Sequence, residues 1–232
     1  MAEIIELKAT DLAAMLCSRV CHDLINPVGA IGNGLEVLAD PSQGAMAEGA
    51  HDLIVNSAKH ARAKLEFARL AYGASSTAGT DLDTRECERV ATLLFEIEKS
   101  ELDWRVPPLI MPKHKVKLLM NMLLIAAGSV PRGGMVTVTC EGAAGQESFR
   151  FVTKGPKTLI PMGVQDLLAG TPEEGVDARG IQPFYTGILA RMTGMDLKIG
   201  LEGEEFVFTA IPAAAMASAE SEPYQALDQR SA

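Results

Sequence analysis

The sequence has no uninterrupted apolar run of about 18 residues and no basic stretch leading into an apolar core at its start. Neither a membrane span nor a signal peptide is expected, and the expected location is cytoplasmic. Cysteine is sparse: Cys17, Cys21, Cys87 and Cys140 form no Cys-x-x-Cys ligand pair. Scattered thiols of this kind fit reduced side chains better than a disulfide framework. Cys17 and Cys21, one helical turn apart, are read as packing residues rather than a redox pair. Positive charge is also short, with 21 Lys and Arg against 30 Asp and Glu and a net charge of −9. Gripping nucleic acid needs a basic face, so no nucleic-acid partner is expected. No cluster of His, Cys, Asp and Glu shows metal-ligand spacing, so no metal site of the chain's own is expected. The partner implied is a protein.

What is present is ordinary globular material, 47% hydrophobic and 22% charged over 232 residues, enough for two domains that each bury a core. Residues 11–39 carry a helical apolar period, Leu12, Leu16, Val20, Leu24, Val28, Ile31, Leu35 and Leu38. The spacing predicts a long amphipathic helix capped by Thr10 and ended by Asp40-Pro41, with Pro27 removing one backbone hydrogen bond inside it. A second helix is predicted from about Ala50 to Tyr72, making an antiparallel hairpin. Phe67 and Leu70 fall off its main stripe, and a homodimeric four-helix bundle is the economical way to cover the apolar surface left over.

Small and polar residues 73–82 read as a linker. Beyond them Asp83 or Thr84 caps a helix to about Lys99, Trp104–Val106 suggests a short strand, and Lys113–Ser129 a helix. Pro131-Arg132-Gly133-Gly134 reads as a turn before a strand, Met135–Glu141, with Phe149–Thr153 as its antiparallel partner. Residues 163–180 are Gly-rich and ambiguous, 181–193 look helical, and Leu197–Leu201 with Glu205–Ile211 form a closing hairpin. The fold class expected is α+β, with one sheet covered by helices on one face. From Ala213 the tail has no period and is expected to be disordered.

On the wheel of the first helix His22 falls roughly opposite the apolar stripe, facing solvent. Ser18, Arg19, Asn26, Gly29 and Asn33 share that side. A purely solvated face is normally filled with long charged side chains, and this one is small and functional. Gly29 costs roughly 1 kcal/mol against Ala in a helix interior, which suggests close approach by something. The plain alternative is a surface histidine with chance neighbours. His51, His60 and His114 are read as surface residues without a role.

His22-Asp23-Leu24-Ile25-Asn26-Pro27 resembles the phosphoacceptor box of two-component histidine kinases, on the first helix of a dimeric hairpin. Leu118–Ala127 resembles the kinase N-box helix, and Pro131-Arg132-Gly133-Gly134 with Met135-Val136-Thr137-Val138 matches the turn and strand after it. The resemblance fails at the nucleotide contacts. Ile125 stands where an Asn holds magnesium, and an apolar group cannot ligate a hard cation. The adenine-reading Asp-x-Gly-x-Gly segment falls on Thr153-Lys154-Gly155-Pro156-Lys157, without the acid. The phosphate loop falls on Gly180-Ile181-Gln182-Pro183-Phe184-Tyr185, where bulky side chains replace glycines that bring backbone amides to phosphates.

An acceptor hairpin on a degenerate histidine-kinase (GHKL) ATPase-like α/β sandwich resembles the alphaproteobacterial ChpT-type histidine phosphotransferases, whose signature is close to Leu16–Asp23. The resemblance implies a hairpin domain over 1–76 for dimerisation and phosphotransfer, an ATPase-like domain over 83–212 and a tail over 213–232. It implies transfer from the receiver domain of a hybrid histidine kinase to His22, then to response regulators that control the cell cycle, without ATP binding. The receiver would bring Mg²⁺, and the chain would hold no cofactor of its own. Asp23 would fix the His22 tautomer, as the acid after the histidine does in kinases; a solvated acid is the alternative. Arg19 would meet phosphoryl oxygens or the receiver's acidic pocket, and Asn26 the phosphoryl group or a water. Leu24, Ile25 and Val28 are not read as site residues, and at least two of them are expected in the core. Two other readings remain open: a receiver-binding module without transfer, and a kinase with unorthodox ATP contacts.

Overall fold

The structure, a computed structural model, describes residues 4–73 and 81–213. The expected tail falls almost wholly outside them, as does most of the expected linker. Helix α1 (Ala9–Ala39) leads through a 3₁₀ turn (Pro41–Met46) into antiparallel α2 (Ala47–Ala71). Lys8, not Thr10, precedes the first turn, and it makes no side-chain cap. At the other end Asp40 does cap, but for the following 3₁₀ turn, where it accepts from the Ser42 amide at 2.9 Å. Between α1 and α2 the buried residues are small: Pro27 and Gly34 on α1, Ala50 and Ser57 on α2. At Gly34 a Cβ would stand 2.6 Å from Ile54 Cγ1 and 3.0 Å from the Ala50 carbonyl, so this glycine sets the spacing of the hairpin.

The α+β expectation holds. After β1 (Asp81–Asp83), which occupies the end of the expected linker, come α3 (Thr84–Phe95), β2 (Ser100–Arg105), β3 (Ile110–Pro112) and α4 (Lys113–Gly128). Then follow β4 (Gly134–Glu141), β5 (Ser148–Lys154), α5 (Val164–Ala169), α6 (Ile181–Thr193), β6 (Met195–Glu202) and β7 (Glu205–Pro212). Asp83 caps α3 by accepting from the Arg85 amide. The five-stranded sheet runs β2-β4-β5-β7-β6, antiparallel except for the β2–β4 pair, and β1 and β3 form a separate two-stranded ribbon. Alternation sets its buried face: Val136 and Val138 on β4 and Phe149 and Phe151 on β5 are buried, whereas Met135 and Arg150 are exposed.

Two expectations are corrected here. Phe67 and Leu70 are covered by the chain's own α/β part and not by a second hairpin: Phe67 is buried in the same apolar cluster as Ala71, Val90, Leu119 and Leu123, with Leu70 packed against it. The end of α2 is therefore part of the core of the α/β region. On α1, Ile25 (68% exposed) and Val28 (56%) lie outside the core, and only Leu24 of the three is partly buried. Cys17 and Cys21 are exposed as well. At about 100° per residue the side facing α2 centres on Asp23, Pro27 and Gly34, while Cys17, Cys21, Leu24, Val28 and Leu35 run along a second line more than a quarter-turn away. The apolar period of the sequence covers both lines, which is why it misplaces the core.

Candidate active site

His22 sits near the middle of α1, its side chain 67% exposed on the polar side of the helix, as the wheel predicts. One turn earlier Arg19 is half-buried, and its Nε donates to Asp23 Oδ2 at 3.0 Å. The spacing is the i, i+4 pairing that a helix favours. The other oxygen, Asp23 Oδ1, lies 3.6 Å from His22 Nδ1, too long for a hydrogen bond but close enough for one to form on a small side-chain rotation. Arg19 thus holds one carboxylate oxygen, and the other lies nearest His22 Nδ1. Pro27 has no N–H to give the Asp23 carbonyl, so the helix ladder is interrupted at the residue beside His22.

Ser18, Asn26 and Gly29 are all exposed on the same side as His22. Around Gly29 nothing of the chain lies within 4 Å of where a Cβ would be, so any close approach there must come from another molecule. Arg19, expected at a phosphoryl group, is held by Asp23. Leu24, Ile25 and Val28 stay outside the row, as read from the sequence.

The sequence gives no local sign of the contacts that join the hairpin to the α/β part. Helix α6 packs against both α1 and α4, and Tyr185 on it meets Tyr72 at the end of α2, ring centroids 6.1 Å apart. Two bonds fix the end of α2: Asn121 Nδ2 donates to the Ala71 carbonyl at 3.1 Å, and Lys117 Nζ to the Tyr72 carbonyl at 3.3 Å. Such contacts depend on long-range placement of α4 and α6, which no spacing within α1 or α2 encodes.

The region that resembles a nucleotide site is packed or acidic. Asn121 is fully buried, with Nδ2 spent on Ala71 and Lys117 carbonyls and Oδ1 accepting from Gln182 Nε2 at 3.1 Å. Thr153 is buried against Ser129, hydroxyl to hydroxyl at 2.5 Å, and Phe184 is fully buried. Ile125 borders a cleft of about 810 Å³ whose charged lining is Asp166, Glu173, Glu174, Asp177 and Arg179. Among the described residues no group of three or more His, Cys, Asp or Glu is placed to hold a metal ion, and no helix is long and apolar enough to cross a membrane.

Residues 84–205 match the family model for the histidine phosphotransferase C-terminal domain. The protein phosphotransferase ChpT of Brucella abortus (strain 2308) is 46% identical over 207 residues, 89% of this chain and 98% of that protein. A solved bacterial phosphotransferase is similar at 45% identity and TM-score 0.83, covering 90% of this chain and 100% of its own. The histidine kinase AdeS of Acinetobacter baumannii is matched at 12% identity and TM-score 0.43 over 82% of this chain and 97% of its own, too distant to bear on the site.

Proposed function

The chain belongs to the histidine phosphotransferase family, and from that premise we propose that His22 carries a phosphoryl group between aspartates, from the receiver domain of a hybrid histidine kinase to response regulators in a cell-cycle type relay. The observation that carries this reading is the row Arg19–Asp23–His22 on an open helix face, with Nε2 free and the imidazole exposed. Neutral imidazole is nucleophilic near pH 7, and phosphoryl transfer needs positioning and charge stabilisation more than covalent help. His22 Nε2 attacks the aspartyl phosphate, the P–O bond to the aspartate breaks, and the reverse displacement loads the next receiver. Asp23 holds the Nδ1–H tautomer, and Arg19 exchanges its carboxylate partner for phosphoryl oxygens. Asn26 and Ser18 lie on the face that a docked receiver would cover. The receiver supplies Mg²⁺ for the charge on its aspartyl phosphate, so the chain needs none of its own.

Two further observations support the rest of the reading. The acidic cleft repels a polyphosphate, and the side chain of Asn121 is committed to internal bonds, both of which disfavour ATP. The exposed line of Cys17, Cys21, Val28 and Leu35 on α1, with Leu65 on α2, suits a second hairpin and hence a homodimer. Light scattering of the intact chain reads that state.

The deciding experiment is a reconstituted transfer assay against a panel of phosphorylated receiver domains. The expected result is acid-labile, alkali-stable phosphate mapped to His22 and its passage to a second receiver. Receivers that bind without labelling the chain would replace this reading with a binding module, and labelling by Mg-ATP alone would make it a kinase.

Gly29 gives a separate prediction. Gly29→Ala is expected to stabilise the chain by about 1 kcal/mol in urea unfolding, because the helix gains a better former and the site is open. Receiver affinity, read by calorimetry, is expected to fall by about 1–3 kcal/mol, since a methyl then intrudes into the docked interface. Unchanged affinity would remove Gly29 from that interface.

A further inference from the structure

Ile25 is a large apolar side chain that the fold leaves 68% exposed, one helical turn after His22. Three residues on in an α-helix place it about 60° around the axis from His22 and about 4.5 Å along it, so the two are surface neighbours with Cβ atoms about 5–6 Å apart. The other side chains one turn away on this side are Ser18, Arg19 and Asn26. These are polar, and exchanging their water for a partner's polar groups gains little net free energy. Arg19 is in addition tied to Asp23. Of the four, Ile25 alone is apolar. Beyond it the helix is bare: at Gly29 and Gly32 nothing of the chain lies within 4 Å of where a Cβ would stand. A partner therefore has room to lay an apolar side chain against Ile25.

We propose that Ile25 is the apolar anchor on which donor and acceptor receiver domains alike seat themselves over His22. A protein interface at the small end of the range covers about 600 Å² on each partner, a disc of about 14 Å radius. A receiver that brings its aspartyl phosphate to His22 on an open helix face cannot leave Ile25 outside that disc. The side chain is then taken from water, and its burial contributes more than any of its polar neighbours can. Because one His22 must face the donor and the acceptor in turn, the same anchor serves both, and each receiver matches it with an apolar residue beside the phosphorylated aspartate. The line of Cys17, Cys21, Val28 and Leu35 runs about 60° beyond Ile25 on the side away from His22, so the surface suited to a second hairpin adjoins this one without including His22.

The inference rests on His22 being the phosphoacceptor, and the test separates the two. It uses the full chain with two receiver domains from the transfer panel, one that labels His22 and one that unloads it. Ile25→Ala is expected to raise the receiver concentration at half-maximal single-turnover rate by about ten- to a hundredfold in both half-reactions, the affinity equivalent of an isoleucine side chain no longer buried, with the saturating rate unchanged. Ile25→Leu keeps the apolar volume and is expected to recover most of the affinity. The unfolding midpoint and the mass by light scattering should match the parent, since the side chain is largely exposed. Unchanged half-saturation, a loss confined to one half-reaction, a fall in the saturating rate alone, or a lower mass would each overturn the proposal while leaving His22 labelled. Absence of phosphate on His22 in the parent chain would overturn it together with the functional reading.

Discussion

Replacing His22 with alanine is expected to remove phosphoryl transfer through the chain by roughly a thousandfold or more, leaving only the spontaneous hydrolysis of the receiver's aspartyl phosphate. The loss is that large because the imidazole is the nucleophile itself and nothing beside it can substitute. Asp23 is a poor nucleophile tied to Arg19, and Ser18 lies a full turn away. The fold should not notice. The side chain is two-thirds exposed, makes no hydrogen bond, and alanine is the better helix former, so stability is expected to stay within about 0.5 kcal/mol of the parent. Receiver affinity should also survive, since the docking face around Arg19, Asn26 and Gly29 remains. The check is phosphate transfer and receiver binding measured on one preparation: bound receiver with no label on the variant, and none on the regulator beyond it. Undiminished relay through His22→Ala would end the assignment of the phosphoacceptor, wherever the label then appeared.

Exposure of His22 is legible in the sequence because it follows from a single local rule, the 3.6-residue period of α1. The same rule marks α1, α2, α4 and α6 closely, and period-two alternation marks β4, β5, β6 and β7. What it cannot do is say which of two apolar lines on one helix faces the chain's own neighbour. Leu24, Val28 and Leu35 scan like core, yet the small residues Pro27 and Gly34 let α2 approach. Phe67 shows the converse: its partner is α3 and α4 of the same chain, a contact set by how the α/β part folds back. The three-residue strands β1 and β3 carry too few residues for a period and pair across 27 positions or more. Helix α5 lay in a stretch whose glycines hid it, although Gly163 and Gly170 are its flanking caps at φ of 70° and 85°. The Arg19–Asp23 pair has the i, i+4 spacing of a helical ion pair, but the sequence reading gives Arg19 to the phosphoryl group and Asp23 to His22 instead.

The largest expected effect on stability lies far from His22, at the base of α4. Lys115 and Glu147 form a buried ion pair, Nζ to Oε2 at 2.6 Å, with side chains 10% and 4% exposed. Lys115 Nζ also donates to the Gly145 carbonyl at 2.9 Å, and the Gly145 amide donates to Glu147 Oε1 at 2.7 Å, so the pair closes the β4–β5 hairpin onto the helix. Lys115→Met fills most of the volume but leaves the carboxylate buried with only its backbone donors, and is expected to cost about 3–5 kcal/mol. Changing both partners, Lys115→Met with Glu147→Leu, should restore much of it, because no uncompensated charge remains. The pH dependence distinguishes the charge from the packing. Desolvation pushes the Glu147 carboxyl up, but the bond from Lys115 and those from the backbone amides outweigh it and hold it below the usual carboxylate range. A lowered folded-state pKa contributes stability that is present above the unfolded value, about 4.3, and is lost as pH falls through the folded value. The parent chain should therefore lose this increment on acidification below about pH 4.3. In Lys115→Met only the backbone bonds still oppose desolvation, so the carboxyl is expected to titrate above its unfolded value, where protonating it relieves the strain of a buried charge. The gap between parent and variant in urea unfolding should then narrow as pH falls from 7 toward 4; a gap that stays constant would assign the loss to packing and not to the stranded carboxylate.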